Sequence, residues 1–394
     1  MDGVTLPPVE WRGRAGLAAL VETLGEARFV GGSVRDALLD TPAADIDLAT
    51  PLPPQAVIDR LKAAGIRAVP TGIEHGTVTA VLESGPVEVT TLRRDVSTDG
   101  RRATVAFTDD WQEDAARRDF TINALYADPR TGRIFDYFTG LDDLAVRRVR
   151  FIGDPLQRIA EDHLRILRFF RFLARFGDTP DPAGLDACTA RARDLMALSR
   201  ERIADELLKL LVARDAVRVA GLMIERGIFA PVLPEVASAD RLSALSDAEA
   251  AAAIPPDPIR RLGALLPQDA QLAEQVGARL KLSNIQRKRL VATAMPHPSS
   301  APEALAYRLG AQTAIDILLL AGRSADAAQV STWAVPRLPI GGGALVAKGL
   351  AKGPDVARAL REIEDRWLAD GFPEGNRLDD IVAAVLAQAL RAQR

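Results

Sequence analysis

The sequence predicts an α+β protein in which a mixed-sheet head is followed by an all-helical remainder. Three observations predict it. Up to about residue 150, short β-branched stretches alternate with helix-like pieces. From about Leu156 onward, long helical patterns joined by Pro- or Ala-rich connectors such as "AAAAIPPDP" and "MPHPSSAP" take over. The 394 residues, 48% hydrophobic and 26% charged, suit several soluble domains rather than one core or a disordered chain. The resulting division is a head over 1–150, a neck over 151–212, a body over 213–300 and a tail over 301–394.

The elements follow in order. "ARFVGG" and "DIDLAT" read as strands, with "SVRDALLD" a helix start between them. "QAVIDRLKAAG" is a helical pattern stopped by a glycine. "GTVTAVLESG" and "PVEVTTLRRD" read as two strands around a Ser-Gly turn. The polar stretch "VSTDGRRATVAFTDD" reads as a loop. "QRIAEDHLRILRFFRFLARFG" reads as one long helix closed by Gly177. In the segment after it, Ser199 stands as a natural N-cap, with Ile203, Leu207, Leu210 and Leu211 along one face. There is no internal repeat and no low-complexity tract.

Composition narrows the function. No run approaches the roughly 18–20 apolar residues of a membrane span, and "MDGVTLPPVEWRGRAG" lacks the pattern of a secretory signal. A single cysteine, Cys188, argues against an internal disulfide framework and suits a cytoplasmic setting. The three histidines, His75, His163 and His297, lie far apart without partners at ligand spacing, which argues against zinc. Any metal must be held by carboxylates. A net charge of −3 gives no global attraction to nucleic acid, so RNA binding requires a local basic patch.

Asp45 and Asp47 flank Ile46. On a strand the two carboxylates face one side and repel unless a cation lies between them, and hard oxygen ligands suit magnesium. Alone, the pair fits an Asx-rich turn at a strand edge better. Gly31, Gly32 and Ser33 change that balance. They sit between strand and helix, where backbone N–H groups attract phosphate, and Arg35 follows on the first turn. Phosphate cradle, arginine and paired carboxylates within 17 residues imply nucleotidyl transfer. Glu88, alternating with valines, fits a third metal carboxylate or an exposed strand residue.

Two further stretches carry chemistry. In "RRDFTINA", Arg118 beside Asp119 and Asn123 can bind a triphosphate and a ribose hydroxyl together, or form a helix N-terminus with an internal ion pair. Asp162, Arg165, Arg168 and Arg171 recur every three residues; between Arg147 and Arg175 stand eight arginines, three acids and no lysine. Arginine's planar fork suits phosphates and base edges. A carboxylate beside a guanidinium can read cytosine or adenine, which present an amine donor next to a ring acceptor. Guanine and uracil present an N–H in place of that acceptor.

"FVGGSVRDALLDTPAADIDLAT", "EVTTLRRD", "RRDFTINALYAD", "FDYFTGLDDL", "RIAEDHLRILRFFRF" and "SRERIADELLKLL" resemble, in order, the motifs of the class II tRNA nucleotidyltransferase and poly(A) polymerase family. "GPDVARALREIEDRW" is similar to a C-terminal helix of bacterial members. The resemblance implies a polymerase-β-like nucleotidyltransferase head, two magnesium ions, and addition of C, C and A to tRNA 3′ ends from CTP and ATP. It implies Arg118 at the nucleotide, Asp119 and Asn123 at the ribose, Asp162 and Arg165 at the base, and Arg168 and Arg171 nearby. It also implies a mobile loop over Asp95 to Asp110 that helps the switch from C to A. Poly(A) polymerases and CC- or A-only enzymes share these head motifs; the lack of a basic C-terminal extension favours tRNA. A non-catalytic RNA-binding relative is disfavoured because both aspartates, Asp162 and Arg165 are present. Lysines near the helix after Gly353 suggest tRNA contact in the tail.

Overall fold

The computed structural model describes residues 4–42, 45–99, 102–295 and 301–392, and the chain divides into two compact units, Met1–Ala237 and Ser238–Arg394. In the first unit the head holds strands β1 (Arg28–Val30), β2 (Asp47–Thr50), β3 (Arg67–Gly72), β4 (Thr77–Leu82), β5 (Gly85–Thr91), β6 (Arg93–Asp99), β7 (Arg102–Phe107), β8 (Leu125–Ala127) and β9 (Ile134–Asp136). Seven of them form one sheet in the order β3-β4-β5-β2-β1-β8-β9. It is mixed: β2 runs parallel to β5, and the other neighbours are antiparallel. The register sets Asp47 opposite Glu88. Helices α1 (Leu17–Leu24), α2 (Gly32–Leu38), α3 (Pro54–Ala63), α4 (Trp111–Ala116) and α5 (Gly140–Ala145) complete the head.

The sheet is anchored by fully buried Phe29, Leu48, Val89 and Tyr126, each worth on the order of 1.5–3 kcal/mol of apolar burial. That anchoring leaves the start of β2 and the turn after β1 to carry polar groups at one end. Gly31, at φ +67°, makes the turn into α2. That left-handed conformation is one L side chains rarely adopt, which favours glycine there.

After the head, the first unit continues with α6 (Pro155–Glu161), α7 (Arg165–Phe176), α8 (Pro182–Ala190) and α9 (Arg200–Leu211), which fall in the stretch read as the neck, and then α10 (Ala216–Glu225). α7 buries Ile166, Leu167, Phe169, Phe170 and Leu173, and its Phe172 packs against Phe120 of the head at 5.2 Å between ring centres. Apolar residues on one side and arginines on the other are the pattern of a helix half-sunk in a core.

Two sequence expectations change. The stretch read as one long helix is two, because Asp162 adopts extended geometry between α6 and α7. Its side chain accepts from the Leu164 amide at 3.0 Å and its carbonyl from the Arg165 amide at 3.0 Å, so a local turn outcompetes helix continuation. Gly177 does close α7. The stretch read as a loop is mostly the antiparallel ribbon β6–β7, in which Arg93 pairs with Phe107; Gly100 and Arg101 lie outside the described residues. Ser199 stands at the start of α9, yet its hydroxyl makes no capping bond.

The second unit is helical from Asp240–Ala251 to Asn376–Ala392. Its Gly-Pro-initiated helix, Pro354–Ala369, begins where the sequence places it. No helix among the described residues is long and apolar enough to cross a membrane.

Candidate active site

A cavity of about 600 Å³ opens between the end of the head sheet and the neck, a size ordinary for small-molecule sites of about 300–1,000 Å³. Gly31, Gly32, Arg35, Asp45, Asp47, Arg118, Asp119, Asn123, Asp162, Arg165, Arg168 and Arg171 all line it, joined by Arg117 and Phe172. Of the residues singled out in the sequence, Ser33 and Glu88 do not. Ser33 is buried, and its hydroxyl donates to the Val30 carbonyl at 3.3 Å. Glu88 is an exposed strand residue beside Asp47.

The head edge is acidic. Asp47 opens β2 half-buried, Asp45 precedes it exposed, and Ile46 between them is buried, as the alternation requires. Burial pushes the Asp47 carboxyl up to about 6, with the negative charges of Glu88 and Asp45 adding to it and Arg118 opposing. Among the described residues no group of three or more acids, histidines or cysteines is disposed to hold a metal alone. Asp45 and Asp47, which both line the cavity, are the hard oxygen donors there that could hold a magnesium ion, with substrate phosphates and water completing its shell. The like-charge strain on Asp47 is what such a cation would relieve.

Beside this edge, the glycine turn is held rigid. The Gly31 amide donates to the Leu125 carbonyl at 3.1 Å. Arg35 is buried and committed: it donates to Asp36 at 2.8 Å and to the Asn123 carboxamide oxygen. Arg118 donates to the Tyr126 hydroxyl at 3.2 Å and to Asp114 at 3.1 Å. Asp114 also accepts from Arg117 and Tyr126, and these partners hold its carboxyl well below the usual range despite burial. The sequence reading missed Asp114, although its spacing of three and four residues from Arg117 and Arg118 on a helical turn was available.

The neck edge is paired throughout. Asp119 accepts from Asn123 at 2.9 Å and from Arg168 at 2.8 Å. Burial acts to raise its carboxyl, but Arg168, Asn123 and Arg165 outweigh it and hold the group at about 2. Arg165 donates to Glu161, which also accepts from Arg158 at 2.9 Å. Arg171 pairs with buried Glu206 of α9 at 2.6 Å. Asp162, freed from the helix by its turn, pairs with Arg202 of α9 at 2.8 Å. Phe172 lies under three guanidinium groups, those of Arg35, Arg168 and Arg171, at 5.1, 5.3 and 4.6 Å from its ring centre. Such contacts are worth on the order of 0.5–2 kcal/mol each. Glu206 was legible as an acid on the buried face of α9; nothing in the sequence pointed to Arg202.

His75 contributes its carbonyl, which accepts from Arg93. His163 bonds through Nδ1 to the Ile159 carbonyl at 2.9 Å, and Cys188 is buried, its thiol pushed up by burial. His297 lies outside the described residues.

Residues 27–150 match the family model of the poly A polymerase head domain, and residues 179–240 that of a probable RNA and SrmB-binding site of polymerase A. The mitochondrial CCA tRNA nucleotidyltransferase 1 of Danio rerio is 35% identical over 376 residues, which cover 90% of this chain and 86% of that protein. The chain belongs to the CCA tRNA nucleotidyltransferase and poly(A) polymerase family. The resemblance carried by the head and neck motifs is borne out. Another family member, the CCA-adding enzyme of Streptococcus pneumoniae, is 35% identical, with 89% of this chain and 91% of that protein covered. The crystal structure of the Bacillus stearothermophilus CCA-adding enzyme in complex with CTP aligns at a TM-score of 0.72 and 25% identity, covering 95% of this chain and 97% of that one.

Proposed function

We propose that the protein adds C, C and A to tRNA 3′ ends from CTP and ATP, releasing pyrophosphate and using side chains as the template. The observation that carries this reading is the single cavity that unites the acidic start of β2 with the paired Asp and Arg side chains of the neck. Full-length similarity to CCA-adding relatives supports tRNA over general RNA as the acceptor.

Asp45 and Asp47 would hold magnesium, with Glu88 adding charge from the neighbouring strand. Two bound ions would neutralise the triphosphate and lower the pKa of the RNA 3′-hydroxyl for attack on the α-phosphorus. Gly31, Gly32 and Arg118 face the phosphates. Ser33 and Arg35 serve that subsite from beneath, fixing its backbone and Asn123 rather than touching substrate. Asp119 and Asn123 present oxygen and amide to the ribose hydroxyls, favouring ribonucleotides. Asp162 accepts from the exocyclic amine of cytosine or adenine while Arg165 donates to the ring acceptor. Guanine and uracil would leave that donor facing an N–H, a mismatch that selects against them. Arg168 and Arg171, clamped by Asp119 and Glu206, hold the wall that positions the base.

In the same reading, 1–150 is the catalytic head, 151–212 the neck, 213–300 the body and 301–394 a tail that contacts tRNA. The single buried cysteine suits a reducing compartment, and we assign the protein to the cytoplasm. The test is incorporation of labelled CTP and ATP, with Mg²⁺, onto a tRNA transcript lacking its last three nucleotides. Two C residues and one A followed by a stop support the reading. A single A added only after CC would mark an A-adding specialist, and a long A tail on any RNA a poly(A) polymerase.

A further inference from the structure

Two arginines on the head side of the nucleotide cavity are held in different ways. Arg35 is spent: its Nε and Nη2 donate to Asp36 and its Nη1 to Asn123. Arg118 donates through Nε to the Tyr126 hydroxyl at 3.2 Å and through Nη2 to Asp114 Oδ2 at 3.1 Å. Its Nη1 makes no hydrogen bond among the described residues. That nitrogen lies beside the glycine turn, 3.4 Å from where a Cβ on Gly31 would stand, and Gly31 lines the cavity. A guanidinium carries five N–H donors in one rigid fork. Fixing Nε and Nη2 therefore fixes the direction of the two donors on Nη1.

The anchors are themselves fixed. Asp114 and Tyr126 are 1% and 0% exposed, and neither lines the cavity. The Tyr126 hydroxyl donates to Asp114 Oδ2 at 2.6 Å, so hydroxyl, carboxylate and guanidinium close a ring of hydrogen bonds. Asp114 Oδ1 accepts from Arg117 Nε and Nη2 at 2.9 and 2.7 Å and from the Arg93 amide at 3.2 Å. Tyr126 lies in the middle of β8 and meets Trp111 of α4 edge-on at 5.4 Å. An arginine that only balanced charge would need the carboxylate alone. Here a core tyrosine takes a second nitrogen, and the nitrogen left over is the one beside Gly31.

We propose that Asp114 and Tyr126 are positioning residues that aim Arg118 at the triphosphate, setting the affinity for its phosphates and leaving base choice to the neck. The proposal rests on the nucleotidyl-transfer reading above, in which Arg118 faces the phosphates. Buried away from the cavity, Tyr126 acts on substrate through Arg118 alone, whereas Asp114 also holds Arg117. Charge and aim have opposite consequences at Asp114. Neutralising it leaves the cavity more positive, which by charge alone tightens phosphate binding. Loss of aim weakens it.

The test measures KM and kcat for CTP and ATP on a tRNA lacking CCA, and inhibition by pyrophosphate, all with Mg²⁺. The variants are Tyr126→Phe, Asp114→Asn, Arg118→Ala and Tyr126→Phe/Arg118→Ala. Tyr126→Phe keeps the ring packing. It should raise KM for CTP and ATP and the pyrophosphate inhibition constant by one common factor, roughly fivefold. Its kcat should stay within about twofold of wild type, and its preference against UTP and GTP should not change. Asp114→Asn should weaken the same three ligands by about tenfold. In the Arg118→Ala background Tyr126→Phe should have no further effect, because the two residues act as a unit. Unchanged or tighter pyrophosphate binding in folded Tyr126→Phe and Asp114→Asn would overturn the proposal. So would a Tyr126→Phe effect of equal size with and without Arg118, the mark of a merely structural role. Failure of the underlying reading shows elsewhere: Arg118→Ala would itself bind CTP and pyrophosphate like wild type, removing Arg118 from the phosphates and the proposal with it.

Discussion

The two edges of the nucleotide cavity are built on opposite principles. At the head edge, Asp45, Asp47 and Glu88 form no ion pair among the described residues, and Asp47 is pushed up to about 6 by burial and by its acidic neighbours. At the neck edge every charge is matched: Asp119 with Arg168, Glu161 with Arg165, Glu206 with Arg171, Asp162 with Arg202. Unbalanced charge marks where a substrate-bound cation is needed, and balanced charge marks where shape must be fixed before the substrate arrives. In the function proposed above, the head edge carries the chemistry and the neck edge the template, so separate perturbations should affect them separately.

The largest effect is expected at the head. Asp47→Asn should cut single-turnover nucleotide addition by ~10³-fold or more, the loss of several kcal/mol of metal-dependent stabilisation. Its thermal stability without metal should hold or rise, since a strained charge is gone. Equal losses of activity and stability would break the comparison. Next, Asp162→Ala or Arg165→Ala should lower discrimination of CTP and ATP against UTP and GTP by about 10²-fold, with a smaller effect on rate. Competition between nucleotides in one reaction reads this directly, and unchanged selectivity would remove the neck from base reading.

Stability should titrate with opposite sign at the two edges. Asp119, held at about 2 in the fold, contributes about 2 kcal/mol that is present above the ordinary carboxylate pKa of ~4 and lost as pH falls toward 2. Asp47, raised to about 6, favours the fold below pH ~4, and that contribution disappears as pH rises through 6. Denaturant unfolding of the metal-free protein from pH 3 to 7 should show Asp119→Asn less stable than wild type at pH 7, with the gap closing in acid. Asp47→Asn should be at least as stable as wild type at pH 7. The smallest effect is at Arg202→Ala, which frees Asp162: a rise of roughly fivefold in KM for CTP and ATP, about 1 kcal/mol, with kcat retained. No change in KM would mean that Asp162 is held by its turn alone.

Much of this was legible in the chain because the signals were local. The spacing of Asp45 and Asp47, the glycines before α2 and the arginine row of α7 each follow from a period or a turn. Asp162 shows the limit. Its three-residue spacing from Arg165 suggested a shared helical face, yet its carboxylate breaks the helix and still reaches the same cavity, because a side chain competed with the backbone for the Leu164 amide. The ribbon β6–β7 was hidden by its polar residues, which suit a separate two-stranded element as well as a loop. Arg202 and Glu206 act across the fold, through partners that only tertiary packing brings near, whereas Asp114 pairs with Arg117 and Arg118 at a local spacing. Arg35 pairs with its chain neighbour Asp36, but its bond to Asn123 has the same tertiary origin.

The division between edges is tested most directly by equilibrium binding of CTP, ATP, UTP and GTP to the full-length protein, with and without Mg²⁺ and in the absence of RNA. The account predicts that removing Mg²⁺ weakens all four by a similar factor while the preference for CTP and ATP survives, because the template is set by the neck's own ion pairs. A preference that vanishes with the metal would contradict it.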